Sequence, residues 1–334
     1  MRSRSATGAA IAAILVAAGA LTAVVAASGR AVDGPASASQ PAERLTPVAA
    51  GPTIAGCPVF PADNAWNTPV DAAPLHPSSD RIIARILRDG GDFLHPDFGE
   101  NPDYGIPYVV VGEDEPLVPV AYDAYGNESD PGPFPIPLDA PIEGAPGATS
   151  GDRHVIALRS GTCELFELYV GRPGATGWTA ASGARFGLRS NALRPLGWTS
   201  ADAAGLPILP GLVRYDEVDA GRIDHAIRVT FRRTRRGYVL PATHFASSRT
   251  DTDLPPMGLR LRLRADTDLS RVTGQARVIA EAMQRYGLIV ADNGSNWFFQ
   301  GAPSPGWDDD DLNQLKSIPG AAFEVVDTGP TITD

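Results

Sequence analysis

Hydrophobic and polar positions along this chain fall into four kinds of stretch. The first is an uninterrupted apolar run from Ala9 to Ala27, behind a short positive start at Arg2 and Arg4. Val25-Ala26-Ala27 offers the small residues a signal peptidase needs, while a run of about nineteen residues also approaches the length that spans a bilayer. Residues 1–27 are therefore expected to be a signal peptide or an N-terminal anchor. The second stretch, residues 28–55, is rich in Ala, Ser, Pro and Gly and has no sustained period. It reads as a linker, because such a composition buries too little apolar surface to offset its ordering entropy. The third kind recurs as short β-prone runs bounded by turn residues: Tyr108 to Val111, His154 to Leu158, Leu165 to Val170, Ala226 to Phe231 and Tyr238 to Leu240. The fourth has helical spacing. It appears at Ser79 to Leu87, with Ile82, Ile83, Ile86 and Leu87 on one side, and at Thr273 to Tyr286, with Val278, Ile279, Ala282, Met283 and Tyr286. Asp308 to Lys316 opens with four acids that suit a helix N-terminus.

Strand signals outnumber helical ones, and 35 Gly and 31 Pro punctuate the whole chain. The expected fold is mainly β: a β-sandwich or jelly-roll with a few peripheral helices and long loops, forming a single domain over residues 56–328. The longest expected loop is Gly171 to Asp216, and long loops in a compact domain are more often functional than idle.

Charge and cysteine usage narrow the function classes. The formal net charge is −11, from 28 Lys plus Arg against 39 Asp plus Glu, which argues against a polyanionic partner such as nucleic acid. Lys316 is the sole lysine, so lysine Schiff-base chemistry and a P-loop have almost no material to work with. Cys57 and Cys163 are the two cysteines, and in an exported chain a paired count points to a disulfide between them. The expected location is secreted, or anchored to the outer face of the cytoplasmic membrane. Membrane contact would come only through the N-terminal segment, if it is uncleaved.

The segment Ser190 to Glu217 carries the densest local chemistry, with Arg194, Trp198, Asp202, Arg214, Tyr215, Asp216 and Glu217 among small residues and prolines. With Cys57-Pro58-Val59-Phe60-Pro61, Glu128 to Pro133, Gly151-Asp152-Arg153-His154-Val155 and Ala291-Asp292-Asn293-Gly294-Ser295, it resembles a largely uncharacterised family of secreted bacterial and fungal proteins. These segments run across most of residues 57–327. The resemblance brings no activity with it, so the residues are read for their own chemistry.

Two constellations stand out. Strand alternation puts Asp152, His154 and Ile156 on one face, Glu167 on the next strand, and His225, Ile227 and Val229 on one face of a third, with His244 after a fourth. Converging imidazoles and carboxylates suit either acid–base work without a metal or a metal-dependent jelly-roll enzyme, although the spacing matches no metal motif. Buried, hydrogen-bonded structural histidines are the plain alternative. The second constellation sets carboxylates among aromatics: Asp202 after Trp198, Glu217 after Tyr215, and Asp292 before Trp297. Glycoside hydrolysis needs one protonated and one ionised carboxyl, with aromatic faces over the sugar. Turn and cap roles for the same acids are the alternative. A serine-hydrolase reading fares worse, since Ala181-Ser182-Gly183-Ala184 lacks the first glycine of a nucleophile elbow.

The resulting expectation is a protein directed at extracellular polysaccharide or oligosaccharide, as a glycoside hydrolase or as a non-catalytic glycan-binding or cell-envelope protein. Asp202, Glu217, His154 and His225 are the candidate catalytic residues. Asp152, Arg153, Glu167, Trp198, Arg214, Tyr215, Asp292 and Trp297 are the candidate substrate-binding residues, and no cofactor is implied. The loop from Trp198 to Glu217 is expected to fold over the strands bearing Asp152, His154, Glu167 and His225 as one polar cleft.

Overall fold

A computed structural model describes residues 51–333. The leader and most of the expected linker lie outside the described residues. Strands hold 23% of the chain and helices 16%, so the fold is mainly β, and it is built from several sheets, one of them curled into a half-barrel.

A six-stranded mixed sheet forms one layer, in the order Phe323–Val325, Arg260–Leu263, Leu288–Asn293, Ile227–Phe231, Phe298–Phe299, His95–Pro96. Its centre is the parallel pair Ile227–Phe231 and Leu288–Asn293, while Arg260–Leu263 runs antiparallel to the latter. Parallel strands need a long crossover. Here it includes the Gly274–Arg285 helix, which packs Ala276, Ile279, Ala280 and Met283 inward. The Ser79–Leu87 helix buries Ile82, Ile83 and Ile86 and packs beside the Phe323–Val325 edge. Both helices fall where the apolar spacing places them. The acidic run begins as expected, with the Asp308 side chain accepting from the Asp311 amide at 3.0 Å, but its helix ends at Asn313 and continues as a 3₁₀ turn over Gln314–Ser317.

The second large sheet has four strands, in the order Ser182–Gly187, Glu164–Tyr169, Val155–Arg159, Val109–Val111. Ile156, Leu158, Leu165, Ala184 and Phe186 join the main core. Val155, Ala157, Phe166 and Leu168 point the other way, into a smaller core with Phe134, Ile136, Trp178 and Ala180. Covering on both faces explains why Val155 to Leu158 is apolar without alternation. A three-stranded sheet of Val120–Tyr122, Trp178–Ala180 and Arg172–Pro173 borders that smaller core.

Several boundaries differ from expectation. Thr53–Ile54 pairs with Cys57–Pro58, so ordered structure begins inside the expected linker, and Ile332 pairs with Tyr238, beyond residue 328. Gly171 to Asp216 is not one loop, because it contributes Trp178–Ala180 and Ser182–Gly187. Tyr238 to Leu240 forms isolated bridges in place of a strand.

Cys57 and Cys163 are bonded, with Cα atoms 5.3 Å apart across a sequence separation of 106. The bond joins the N-terminal strand pair to the turn between Val155–Arg159 and Glu164–Tyr169. A disulfide fits a location outside the cytoplasm. No helix among the described residues is long and apolar enough to cross a membrane.

Candidate functional site

Strand register assembles a polar row on the six-stranded sheet. Val229 faces Phe299 and Thr230 faces Phe298, so one step further places Gln300 beside Arg228. His95 and Pro96 pair with Phe298 and Phe299, and the Asp97 amide donates to the Phe299 carbonyl at 3.0 Å, which brings Asp97 beside Gln300. Arg228 completes the row by donating through Nη1 to Gln300 Oε1 at 2.5 Å.

A bulge supplies the next member. Val229 pairs with Val290 but Thr230 pairs with Asp292, so Ala291 is the extra residue. Without it Asp292 would fall opposite Phe231, on the other face; with it Asp292 shares the face of Thr230 and Arg228.

The Thr199–Leu206 segment then lays Asp202 onto this row. Ser200 Oγ accepts from the Asp202 amide at 2.9 Å and sits 2.6 Å from the Leu206 carbonyl. The Ala204 amide donates to the Ala291 carbonyl at 2.9 Å, tying the turn to the bulge. Asp202 is fully buried and receives Arg228 through two bonds, Nε to Oδ2 at 3.0 Å and Nη2 to Oδ1 at 2.6 Å. From the four-stranded sheet His154 closes the group. Its Nε2 meets the Ala201 carbonyl at 3.1 Å and its Nδ1 meets Glu143 Oε2 at 2.6 Å. Both ring nitrogens thus face acceptors, which favours the doubly protonated imidazolium.

Protonation follows from this geometry. Burial pushes His154 down, but the adjacent Glu143 outweighs it and raises it to about 9. Burial pushes Glu143 up, yet the His154 charge and hydrogen bonds hold it below its ordinary range. Asp292 is raised to about 8, first by lost hydration and then by neighbouring Asp202. Asp97 is raised as well, by lost hydration and by Glu143, against opposing pulls from His95, Gln300 and Arg228. Arg228 and His154 therefore balance Asp202 and Glu143, Asp292 holds its proton at neutral pH, and burial disfavours the charged form of Asp97. Asp97, Glu143 and Asp292 each feel the Arg228 charge, although among the described residues the guanidinium itself bonds only Asp202 and Gln300. They are the partly exposed rim over a buried floor of Asp202, Arg228, His154 and Gln300.

Of the residues singled out in the sequence, His154, Asp202 and Asp292 meet here. Glu167 is close by and fully buried: its carboxylate accepts the Ile208 and Leu209 amides at 2.9–3.0 Å, and burial raises it to about 7. It holds the loop and is closed to substrate. Asp152 is exposed near His154. Arg153, at φ 46°, bonds the Gly171 and Ala148 carbonyls.

The expected pairing of Asp202 with Glu217 does not form. Glu217 belongs to a separate network, 2.5 Å from Arg214 Nη2 and 3.0 Å from His225 Nε2, and no bond or ion pair joins it to Asp202 among the described residues. His225 is fully buried, alternates with Ile227 and Val229 away from the face of Arg228, and bonds Glu217 and the Ala226 carbonyl, so it does not join His154. His244 stands apart with the Ala203 carbonyl at 2.7 Å. The imidazoles therefore do not converge, and among the described residues no group of three or more His, Cys, Asp or Glu is placed to hold a metal ion. Trp297 is fully buried against Phe231 and Phe323, so its faces cannot cover a sugar. Trp198 lies 5.7 Å beneath the Arg194 guanidinium, and Tyr215 packs edge-on to Trp307. Asp97, Glu143, Arg228 and Gln300 went unnoticed in the sequence, where each is an isolated polar residue in a strand or loop.

No family model, curated protein or solved structure matches the chain.

Proposed function

We propose that this chain is a carbohydrate-directed hydrolase acting outside the cytoplasm, and that Asp97 and Glu143 are its acid–base pair. The supporting observation is positional: Asp97 lies beside the Gln300 that Arg228 bonds, Glu143 bonds the His154 that meets the Ala201 carbonyl next to Asp202, and each carboxyl lines a cleft of its own. Asp97 borders a cleft of about 340 Å³ and Glu143 one of about 420 Å³. Their opposite protonation tendencies match what glycoside cleavage asks of two carboxyls. Asp97 would protonate the leaving oxygen. Glu143, kept ionised by His154, would activate water or attack the sugar carbon. Arg228, locked by Asp202, would keep both carboxyls in place, and Asp292 would hold a proton beside them. Burial of Trp66, Trp178, Trp297 and Trp307 speaks against a shallow tryptophan platform, and so favours a cleft over a purely adhesive surface.

The test is release of reducing ends by the purified protein from pectin, laminarin, chitin and peptidoglycan sacculi. Asp97→Asn and Glu143→Gln should each lower turnover by about 10²–10⁴-fold, the usual worth of a general acid or base; the melting curve should be nearly unchanged for Asp97→Asn and lowered for Glu143→Gln, which takes the partner charge from buried His154. Turnover that survives both substitutions would remove these residues from the chemistry.

A further inference from the structure

The two clefts lie on either side of one ridge, the segment Gly99 to Pro107. Asn101 and Tyr104 face the first cleft, whereas Pro102 and Asp103 face the second. The ridge is held from below. The Ile106 amide donates to the Gly301 carbonyl at 3.0 Å, and the Glu100 amide donates to Asp309 Oδ1 at 3.0 Å. Gly105, at φ 93°, sits so close to the Gly301 carbonyl that a Cβ there would lie 2.6 Å from its oxygen. This is backbone packed on the sheet end beside Gln300, and it fixes where each cleft begins.

The walls differ in chemistry. The first cleft presents Asn101, Tyr104, Asn313 and Lys316 around His95 and Asp97. Lys316 is exposed and makes no ion pair among the described residues, and Tyr104 is 59% exposed. These are donors and an aromatic face suited to hydroxyl-rich rings. The second cleft is walled by Pro102, Pro141, Pro146 and Pro303, with Asp103, Glu143 and Arg153 as its polar groups. Rigid proline walls pack on the carbon faces of a sugar at little entropic cost. Each cleft is lined by one of the two carboxyls, Asp97 in the first and Glu143 in the second.

From this we infer that the two clefts are the two halves of one binding track, so that the occupant is an extended polysaccharide lying across the Gly99–Pro107 ridge and cut within its chain. The inference rests on the acid–base reading for the cut and on the cleft geometry alone for the track. A site built to remove single terminal sugars needs one closed pocket, and two open clefts, each lined by one of the reacting carboxyls, fit a polymer that continues in both directions.

The experiment uses a length series of oligosaccharides prepared from whichever of the four polysaccharides the protein retains or cleaves. Bulk is added to one cleft at a time with Asn313→Trp and Ala145→Trp, both at exposed positions outside the acid–base centre. Binding is read by calorimetry on the Glu143→Gln background, and product size by chromatography on the unsubstituted background. The track predicts affinity that grows with length until both clefts are filled. Each Trp variant should weaken long oligomers at least tenfold while leaving the shortest ones unchanged in the opposite cleft, and early products should be internal fragments. Affinity that saturates at one or two sugars, indifference to one of the two blocks, or monosaccharide as the first product would overturn the track while leaving hydrolysis intact. Binding with the predicted length dependence but no cleavage would sustain the track and overturn the acid–base reading. Failure to bind any of the four polymers would overturn both.

Discussion

Asp202→Asn removes one charge from the fully buried pair that forms the floor of the site, and its consequences are calculable. Asp202 is unexposed and Arg228 is 3% exposed, so neither has water to fall back on. The substitution leaves an Arg228 guanidinium with one neutral acceptor at Gln300, 2.5 Å away, and at best a weaker bond from the new amide. Breaking one side of a buried pair costs about 3–5 kcal/mol, because the surviving charge stays desolvated. At roughly 2–4 °C per kcal/mol for a domain of this size, the melting temperature should fall by about 6–20 °C. The same change should lower the Asp292 pKa below about 8, since the neighbouring Asp202 charge helps to raise it. Differential scanning calorimetry at pH 7 reads the first effect, and the carbon-13 carboxyl shift of Asp292 against pH reads the second. The control is the double variant Asp202→Leu with Arg228→Met, which deletes both charges and keeps volume. It should be much more stable than the sum of the single losses, because no orphaned charge remains. A loss below about 1 kcal/mol for Asp202→Asn, or a double variant as unstable as that sum, would refute the description of this pair as a mutually dependent buried floor.

The disulfide and His154 give two further expected outcomes. Replacing Cys57 and Cys163 together by Ser opens a loop of 106 residues; chain entropy sets the loss near 4–5 kcal/mol, measurable as a lowered urea midpoint against the oxidised protein, with an unchanged midpoint as the failing result. Because folding raises His154 from 6.5 to about 9, the folded state binds its proton more tightly. Its contribution is whole below pH 6.5 and disappears as pH rises through 9, up to about 3 kcal/mol at 1.36 kcal/mol per unit. Urea midpoints between pH 6 and 10 should show that slope in the wild type and lack it in His154→Gln.

Parts of this structure can be read directly from the chain. The helix at Ser79–Leu87 follows from four apolar residues at one spacing, and the disulfide from a paired count behind an apolar leader. The β-branched runs mark Val109–Val111, Val155–Arg159 and Ile227–Phe231. Ser182–Gly187 escapes because Ser-Gly-Ala-Arg-Phe-Gly carries turn residues in place of β-branched ones. It is a strand because Glu164–Tyr169 offers it six paired positions. Likewise Arg228 reads as the solvent-facing member of Ile-Arg-Val-Thr-Phe, yet all five residues are buried, and its burial depends on a carboxylate 26 positions earlier. Period-two reasoning put His154 on the face of Ile156 and left Glu167 on the next strand; the pairing of Ile156 with Glu167 then sets it on that same face. It grouped His225 with Ile227 and Val229, but Arg228 and Thr230 on the opposite face carry the site, and alternation within a strand does not say which face meets the other sheet.

The single inserted residue at Ala291 shows why the site resists local reading. Asp292 followed by Asn293-Gly294 looks like a turn, and in an unbulged strand its carboxyl would point away from Arg228. The bulge turns it inward, and the price is an unpaired backbone carbonyl at Ala291, which the Ala204 amide takes up at 2.9 Å. Ala204 lies two residues from Asp202 in a turn whose geometry Ser200 sets, so the bond that satisfies the bulge also positions the carboxylate that neutralises Arg228. One irregularity thus places two acids at once, and neither placement stands without the other. Burial then divides the labour: Asp202 and Arg228, fully committed to each other, fix the geometry, while Asp97, Glu143 and Asp292 keep access to solvent and with it the capacity to exchange protons. A sequence with the same acids but no bulge would keep its strands and lose the convergence, which is why composition alone never marks such a site.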